Sequence, residues 1–161
     1  LTPTALQAQC VVRHLRRSGP GGQHRNKVET AVQLVHRPTG VVAEASERRA
    51  QAENLSVALR RLRLELALEI RQPLEPDGVP SALWRSRCRA GRMAVNPAHE
   101  DFPALLAEAL DVLAAFECQP QHAAAVLTVT ASQLVRLLEQ EPRALALVNR
   151  WRAERQLRRL R

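Results

Sequence analysis

Apolar residues recur along this chain with two different periods. Residues 9–15 carry Cys10-Val11-Val12 and read as a short strand after a lead of residues 1–8, in which Pro3 is a breaker. Residues 31–36 alternate in part, and residues 40–45 form a second run with β-branched side chains. Arg37-Pro38-Thr39-Gly40 between them is a turn sequence, so the pair predicts a hairpin. Residues 26–30 have room for a helical turn. From about 47 to 71 the period changes. Leu55, Leu59, Leu62, Leu66 and Ile70 recur at steps of four and three and share one helical face. Ser46 is the expected N-cap, with Arg49 at the third helical position, so no full capping box is present. A long helix packed over a small mixed β-sheet makes an α+β unit.

Pro73, Pro76, Gly78 and Pro80 then break the pattern and predict a linker over residues 73–96. Its second part, residues 81–96, has no clean period. Arg85, Arg87, Arg89 and Arg92 make it basic, which suits either an RNA-facing segment or a solvated connector. After Pro97 the helical period returns. Asp101 is placed to cap a helix to about residue 117, with Phe102, Leu105, Leu106, Ala109, Leu110, Leu113 and Phe116 on one face. A second helix is expected over about 120–127. Thr130-Ala131-Ser132-Gln133 reads as a capping box for a third, and Glu141-Pro142 opens a fourth running toward the Arg-rich end. The expected organisation is a domain at 1–72, a linker at 73–96 and an all-helical extension at 97–161. Residues 120–140 also have the outline of a helix-turn-helix. In that reading Ser132, Gln133 and Arg136 face nucleic acid; in the other, an ordinary helical bundle uses the same turn.

One stretch fits neither period. In Arg16-Arg17-Ser18-Gly19-Pro20-Gly21-Gly22-Gln23-His24-Arg25-Asn26-Lys27, three glycines and a proline fall within four residues. No helix or strand interior tolerates that density of glycine, so a loop is expected. Arg16, Arg17, Arg25 and Lys27 surround a backbone that lacks Cβ atoms. Such a backbone can approach a ligand closely, and the charge says the ligand is anionic.

Charge sharpens this picture. The net charge is +8 over 161 residues, divided as +6 for residues 1–72, −3 for 73–149 and +5 for 150–161. Two basic ends point to a polyanion, foremost RNA. Arginine accounts for 23 of the 24 basic residues, which GC-rich coding would explain, but coding bias does not explain the clustering. Trp84, Trp151, Phe102 and Phe116 are the whole aromatic content, too few for a platform that stacks single-stranded bases. Cys10, Cys88 and Cys118 are odd in number and far apart, so neither a disulfide framework nor a metal site is expected, and a reducing, cytoplasmic setting fits. No apolar run is long enough to span a bilayer.

The loop and the residues after it carry a resemblance. Arg-x-Ser-Gly-Pro-Gly-Gly-Gln-His-x-Asn-Lys at 16–27 continues into Val28-Glu29-Thr30-Ala31-Val32, His36-x-Pro38-Thr39-Gly40, Glu44 and Arg49-x-Gln51-x-x-Asn54. This extended pattern resembles the GGQ domain of class-I peptide chain release factors over roughly residues 10–72. The resemblance implies a peptidyl-tRNA substrate, water as nucleophile, no cofactor, and a site at the large-subunit peptidyl-transferase centre of the ribosome. It implies catalytic roles for Gly21, Gly22 and Gln23. The backbone N–H of Gln23 would stabilise the oxyanion while its side chain positions or selects the water. Ser18, Gly19, Pro20 and Asn26 would support the loop. Arg16, Arg17, Arg25 and Lys27 would neutralise rRNA or tRNA phosphates. His24 could act as a base at neutral pH, but contact with RNA or loop folding is the reading preferred here. His36, Pro38, Thr39 and Gly40 read as structural, and Arg49 and Gln51 either support the loop base or touch RNA.

Two departures from the family stand out. Fewer than twenty residues precede the loop, so stop-codon reading has no obvious home, and the chain resembles the short, codon-independent members that rescue stalled ribosomes. Those members end in a disordered basic tail, whereas here a helical segment comes before the short arginine-rich end. Arg152, Arg155, Arg158 and Arg159 are the expected RNA-binding residues there, and the helical spacing of Arg152, Arg155 and Arg159 also allows a packed helix with a basic face. A monomer is expected, with no membrane partner.

Overall fold

The structure, a computed structural model, describes residues 2–15, 30–74, 79–89 and 91–161. It divides the chain into two compact units, Leu1–Leu66 and Ala67–Arg161.

The first unit opens with a helix, α1 (Pro3–Ala8), where a lead was expected. Pro3 does not break it. It stands at the first helical position, where its missing N–H is no loss, and Thr2 caps the turn by accepting from the Ala5 N–H at 3.3 Å. Strands β1 (Cys10–Leu15), β2 (Ala31–His36) and β3 (Val42–Ala45) come next. They pair in chain order, and both pairings are antiparallel, so the sheet is not the mixed one expected. Between β2 and β3 the connection is too short for the crossover a parallel partner would need, which fixes that pairing as antiparallel. In register, Cys10 lies opposite His36, Val12 opposite Leu34 and His14 opposite Val32, while Ala43 and Ala45 face Leu34 and Val32. This face holds the buried Cys10, Val32, Leu34, His36, Ala43 and Ala45. The opposite face aligns Val11, Val35 and Val42, of which Val11 and Val42 are exposed.

The hairpin turn is built as its sequence suggests. Gly40 takes φ +74°, a left-handed conformation that disfavours a Cβ, and its N–H returns to the His36 carbonyl at 2.8 Å. His36 is buried. Its Nε2 meets Gln9 Oε1 at 3.0 Å and its Nδ1 meets Thr39 Oγ1 at 2.7 Å. The network fits a neutral ring with the proton on Nε2 and the Thr39 hydroxyl donating to Nδ1. Burial lowers the His36 pKa, in keeping with that neutral state.

The long helix α2 spans Gln51–Glu69, starting later than expected. Ser46 is not its cap, because residues 47–50 form a bend before the helix begins. Asn54, Ala58 and Leu62 recur at steps of four on its buried face, with Leu59 beside them. Arg61 ties the helix to β3 by donating to the Glu44 carbonyl at 2.7 Å.

In the second unit, residues 82–89 and 92–93 form regular elements although their sequence shows no period. They form α3 (Ala82–Arg87) and a two-stranded ribbon of β4 (Cys88–Arg89) and β5 (Arg92–Met93). Elements this short offer too few residues for a period to show. Trp84 is fully buried, and its Nε1–H donates to the Leu127 carbonyl at 2.8 Å. Four helices complete the unit, α4 (Phe102–Ala115), α5 (Pro120–Val126), α6 (Ala131–Glu139) and α7 (Pro142–Glu154). Helix α4 touches each of the other three, and its Leu105, Leu106, Ala109, Leu110 and Leu113 are wholly buried. Burying one such leucine is worth about 2 kcal/mol, so this face supplies the centre of the unit's core, which Leu127, Leu134, Leu137, Leu138 and Val148 complete.

Local polar choices differ from the simple capping expected. Asp101 stands at the N-cap of α4, but its carboxylate makes no capping bond and instead pairs with Arg87 at 2.6 Å. Thr130 caps α6 by accepting from the Gln133 N–H at 3.3 Å. The Gln133 side chain does not complete a capping box; it accepts from the Met93 N–H at 2.8 Å and so holds the ribbon against α6. Helix α7 ends at Glu154, short of the arginine-rich end.

Candidate nucleic-acid and peptidyl-transfer site

The glycine-rich loop connects β1 to β2. Leu15, the last residue of β1, lies opposite Ala31, the first of β2. Opposed residues of an antiparallel pair sit about 5 Å apart, so the chain leaves and re-enters the sheet at one place. Gly21, Gly22 and Gln23 lie outside the described residues, as do Arg16, Arg17, Ser18, Gly19, Pro20, His24, Arg25, Asn26 and Lys27, and the helical turn expected at 26–30 falls there except for Thr30. The structure supplies the base on which that loop stands.

Asn54 organises this base. Its side chain is fully buried. Its Nδ2 donates to the Thr30 carbonyl at 2.7 Å and to the Arg48 carbonyl at 2.9 Å, while its Oδ1 accepts from the Arg48 N–H at 2.9 Å. One amide thus uses both donor hydrogens and its acceptor to join the first turn of α2, the bend before it and the last residue before β2. An amide is suited to this because it presents a donor pair and an acceptor on one planar group. The bend is further held by Glu47, which accepts from the Ser46 N–H at 2.9 Å and pairs with Arg61 at 2.7 Å. The Ser46 N–H is the main reason the Glu47 carboxyl is held below its ordinary pKa. Arg48, Arg49 and Gln51 are exposed near this base, and Arg13 and His14 are exposed on the last part of β1. Arg13 and His14 carry no sequence signal beyond their position.

The arginine-rich end is arranged differently from a basic helix face. Arg152 is buried. Its Nε donates to the Arg158 carbonyl at 2.7 Å and its Nη1 to the Cys118 carbonyl. It is therefore spent inside the unit rather than offered to RNA. Arg155, Arg158 and Arg159 are exposed. In the helix-turn-helix stretch, Ser132 and Arg136 are exposed, but Gln133 is committed to the Met93 N–H. Arg87 of the basic stretch 81–96 is likewise committed, to Asp101, while Arg85 and Arg92 are exposed. No helix among the described residues is long and apolar enough to cross a membrane.

The class defined by these features is an α+β domain that carries a glycine-rich, cationic loop between two adjacent antiparallel strands. Comparison with known proteins places it further. Residues 6–80 match the RF-1 domain family. Over 55 residues the chain is 49% identical to human mitochondrial peptide chain release factor 1, covering 34% of this chain and 12% of that protein. It is 44% identical over 66 residues to peptide chain release factor 1 of Ureaplasma parvum serovar 3, covering 41% and 17%. It is 48% identical over 61 residues to peptide chain release factor 2 of Acidovorax sp. strain JS42, covering 37% and 17%. Residues 6–80 are thus similar to the RF-1 domain of class-I peptide chain release factors. The chain spans less than a fifth of the length of these relatives, and residues 81–161 lie outside the family match.

Proposed function

We propose that this chain hydrolyses the peptidyl-tRNA ester on the ribosome, releasing nascent peptide without reading a stop codon, as in rescue of stalled ribosomes. The observation that carries this is the Arg16–Lys27 loop sequence set between two strands in register, within the segment that matches release factors. The domain at 1–72 is the hydrolase part. Its partners are the large-subunit peptidyl-transferase centre, its rRNA and peptidyl-tRNA.

Water attacking an ester carbonyl passes through a tetrahedral species with a negative oxygen. A backbone N–H aimed at that oxygen stabilises it with little reorganisation. The Gln23 N–H takes this role, and the Gln23 side chain orients the attacking water. Gly21 and Gly22 let the backbone approach where a Cβ would collide. Arg16, Arg17, Arg25 and Lys27 neutralise phosphates around the loop, with His24 in contact with RNA. Ser18, Gly19, Pro20 and Asn26 shape the loop, and Asn54 holds its base through Thr30. In the second unit Arg155, Arg158 and Arg159 contact rRNA.

The test separates chemistry from binding. Wild type and Gly22→Ala are compared for release of labelled peptide and for co-sedimentation with ribosomes. Release lost with co-sedimentation kept supports the reading. Co-sedimentation by both proteins with release by neither would leave a ribosome-binding protein without this activity.

A further inference from the structure

We infer that the C-terminal arginines form a pre-folded surface for the phosphodiester backbone of helical RNA, with Asn149 and Arg152 as positioning residues. This deepens the ribosomal reading and rests on it only for the choice of RNA as polyanion.

The segment after α7 is not a loose tail. Helix α7 closes with the Gln156 N–H on the Ala153 carbonyl at 3.0 Å and the Leu157 N–H on the Arg152 carbonyl at 2.8 Å, with Gln156 at φ +59°. That is a Schellman closure, which turns the chain back on its helix. Glutamine there is unusual, since the left-handed conformation favours glycine or asparagine. Two buried polar side chains then fix residues 158–160. Asn149 accepts from the Leu160 N–H at 2.7 Å and donates to the Leu160 carbonyl at 3.3 Å. Arg152 donates to the Arg158 carbonyl at 2.7 Å and also reaches the Cys118 carbonyl, which binds the segment to the turn between α4 and α5.

The outcome of this ordering is a set of exposed cations. Arg155, Arg158, Arg159 and Arg161 are exposed, and none of them forms an ion pair with a carboxylate among the described residues. Like charges held close together repel, and an ordered segment gives up the conformational freedom that a solvated tail would keep. A bound polyanion offsets both. The unit's aromatic residues do not line up as a stacking platform: Trp84 and Phe102 are buried, Phe116 is half-buried, and Arg71 lies over the half-buried Trp151 ring at 5.8 Å. That disfavours splayed single strands, which are held by stacking, and favours the regularly spaced phosphates of a helix.

The probe is a short blunt RNA duplex, measured by fluorescence anisotropy with the full chain. Four phosphate contacts contribute about −3.6 to the log–log salt slope, so their share of the affinity falls by roughly a hundredfold between about 50 and about 200 mM salt. Arg158→Gln is expected to reduce the slope by about one. Replacing Arg155, Arg158, Arg159 and Arg161 together by Gln leaves the core intact and is expected to remove at least thirtyfold of the low-salt affinity. Asn149→Ala keeps every arginine. It is expected to weaken binding about tenfold with the slope unchanged and with lost amide protection at Leu160, a combination that general unfolding would not produce. The inference is overturned if the fourfold variant binds within twofold of wild type. It is overturned equally if Asn149→Ala frees the Leu160 amide without weakening binding. Binding of polyuridylate or of anionic phospholipid vesicles as tight as that of the duplex would also overturn it. Gly22→Ala is expected to bind the duplex like wild type, so failure here and failure of the release reading are distinguishable.

Discussion

Replacing Asn54 by alanine removes the group that joins the loop base to α2. Three hydrogen bonds are lost, to the Thr30 carbonyl, to the Arg48 carbonyl and from the Arg48 N–H. Net contributions run near 1 kcal/mol each, so the unit loses about 3 kcal/mol. Thr30 and Arg48 are not fully buried, so water can reach the freed groups and keep the loss from growing further. A change of about 3 kcal/mol corresponds to roughly a hundredfold faster opening of the sheet, read by amide exchange of β2. Asn54→Asp is the sharper variant. It keeps the oxygen that accepts from Arg48 but aims a second oxygen at two carbonyls, at the 2.7 and 2.9 Å now spanned by Nδ2. It is expected to cost more than alanine at neutral pH and to recover as the pH falls and the carboxyl gains a proton to donate. Peptide release is expected to fall at least tenfold in both variants while ribosome co-sedimentation changes less than threefold. Amide protection of β2 within threefold of wild type in Asn54→Ala would refute the role given to this side chain.

Three further outcomes rest on local geometry. Gly40→Ala meets no neighbour within 4 Å but must adopt φ +74°, so it is expected to cost about 1 kcal/mol, read by urea denaturation followed by far-UV circular dichroism. Trp84→Phe loses the bond to the Leu127 carbonyl, which keeps the Thr128 hydroxyl at 2.7 Å, so the lost ring volume dominates and the expected cost is about 2 kcal/mol in the same assay. Burial holds the His36 pKa below its ordinary 6.5, so the unfolded chain takes up the proton first. Its contribution is full above pH 6.5 and is lost as the pH falls toward the folded-state pKa, and His36→Gln is expected to flatten that part of the stability–pH curve.

The elements that can be read from sequence are those with enough residues to show a period. Helix α4 is the clear case, since Leu105, Leu106, Ala109, Leu110 and Leu113 mark its buried face in the sequence and in the structure alike. The hairpin is equally legible, because Pro38-Thr39-Gly40 states its turn chemistry directly. Helix α3 and the β4–β5 ribbon are not, for they are too short to alternate and are ordered by Trp84 and by Gln133. The antiparallel pairing of β1 with β2 is hidden, because fifteen residues separate the strands and either sense could follow. Of the candidate site, the motif through Asn54 is visible, but the bonds of Asn54 are not. A side chain that bridges three segments leaves no trace in spacing. Arg152 shows the converse problem: its charge suggests a surface role, while the Arg158 and Cys118 carbonyls accept its donors inside the unit.

The central claim is tested most directly by single-turnover release of labelled peptide from purified ribosomes carrying peptidyl-tRNA, with the A-site codon absent, sense or stop. Wild-type protein is expected to release peptide without any A-site codon, with no gain from a stop codon, and Gly22→Ala is expected to be slower by at least a hundredfold. Equal release by wild type and Gly22→Ala, or release that requires a stop codon, would contradict the account.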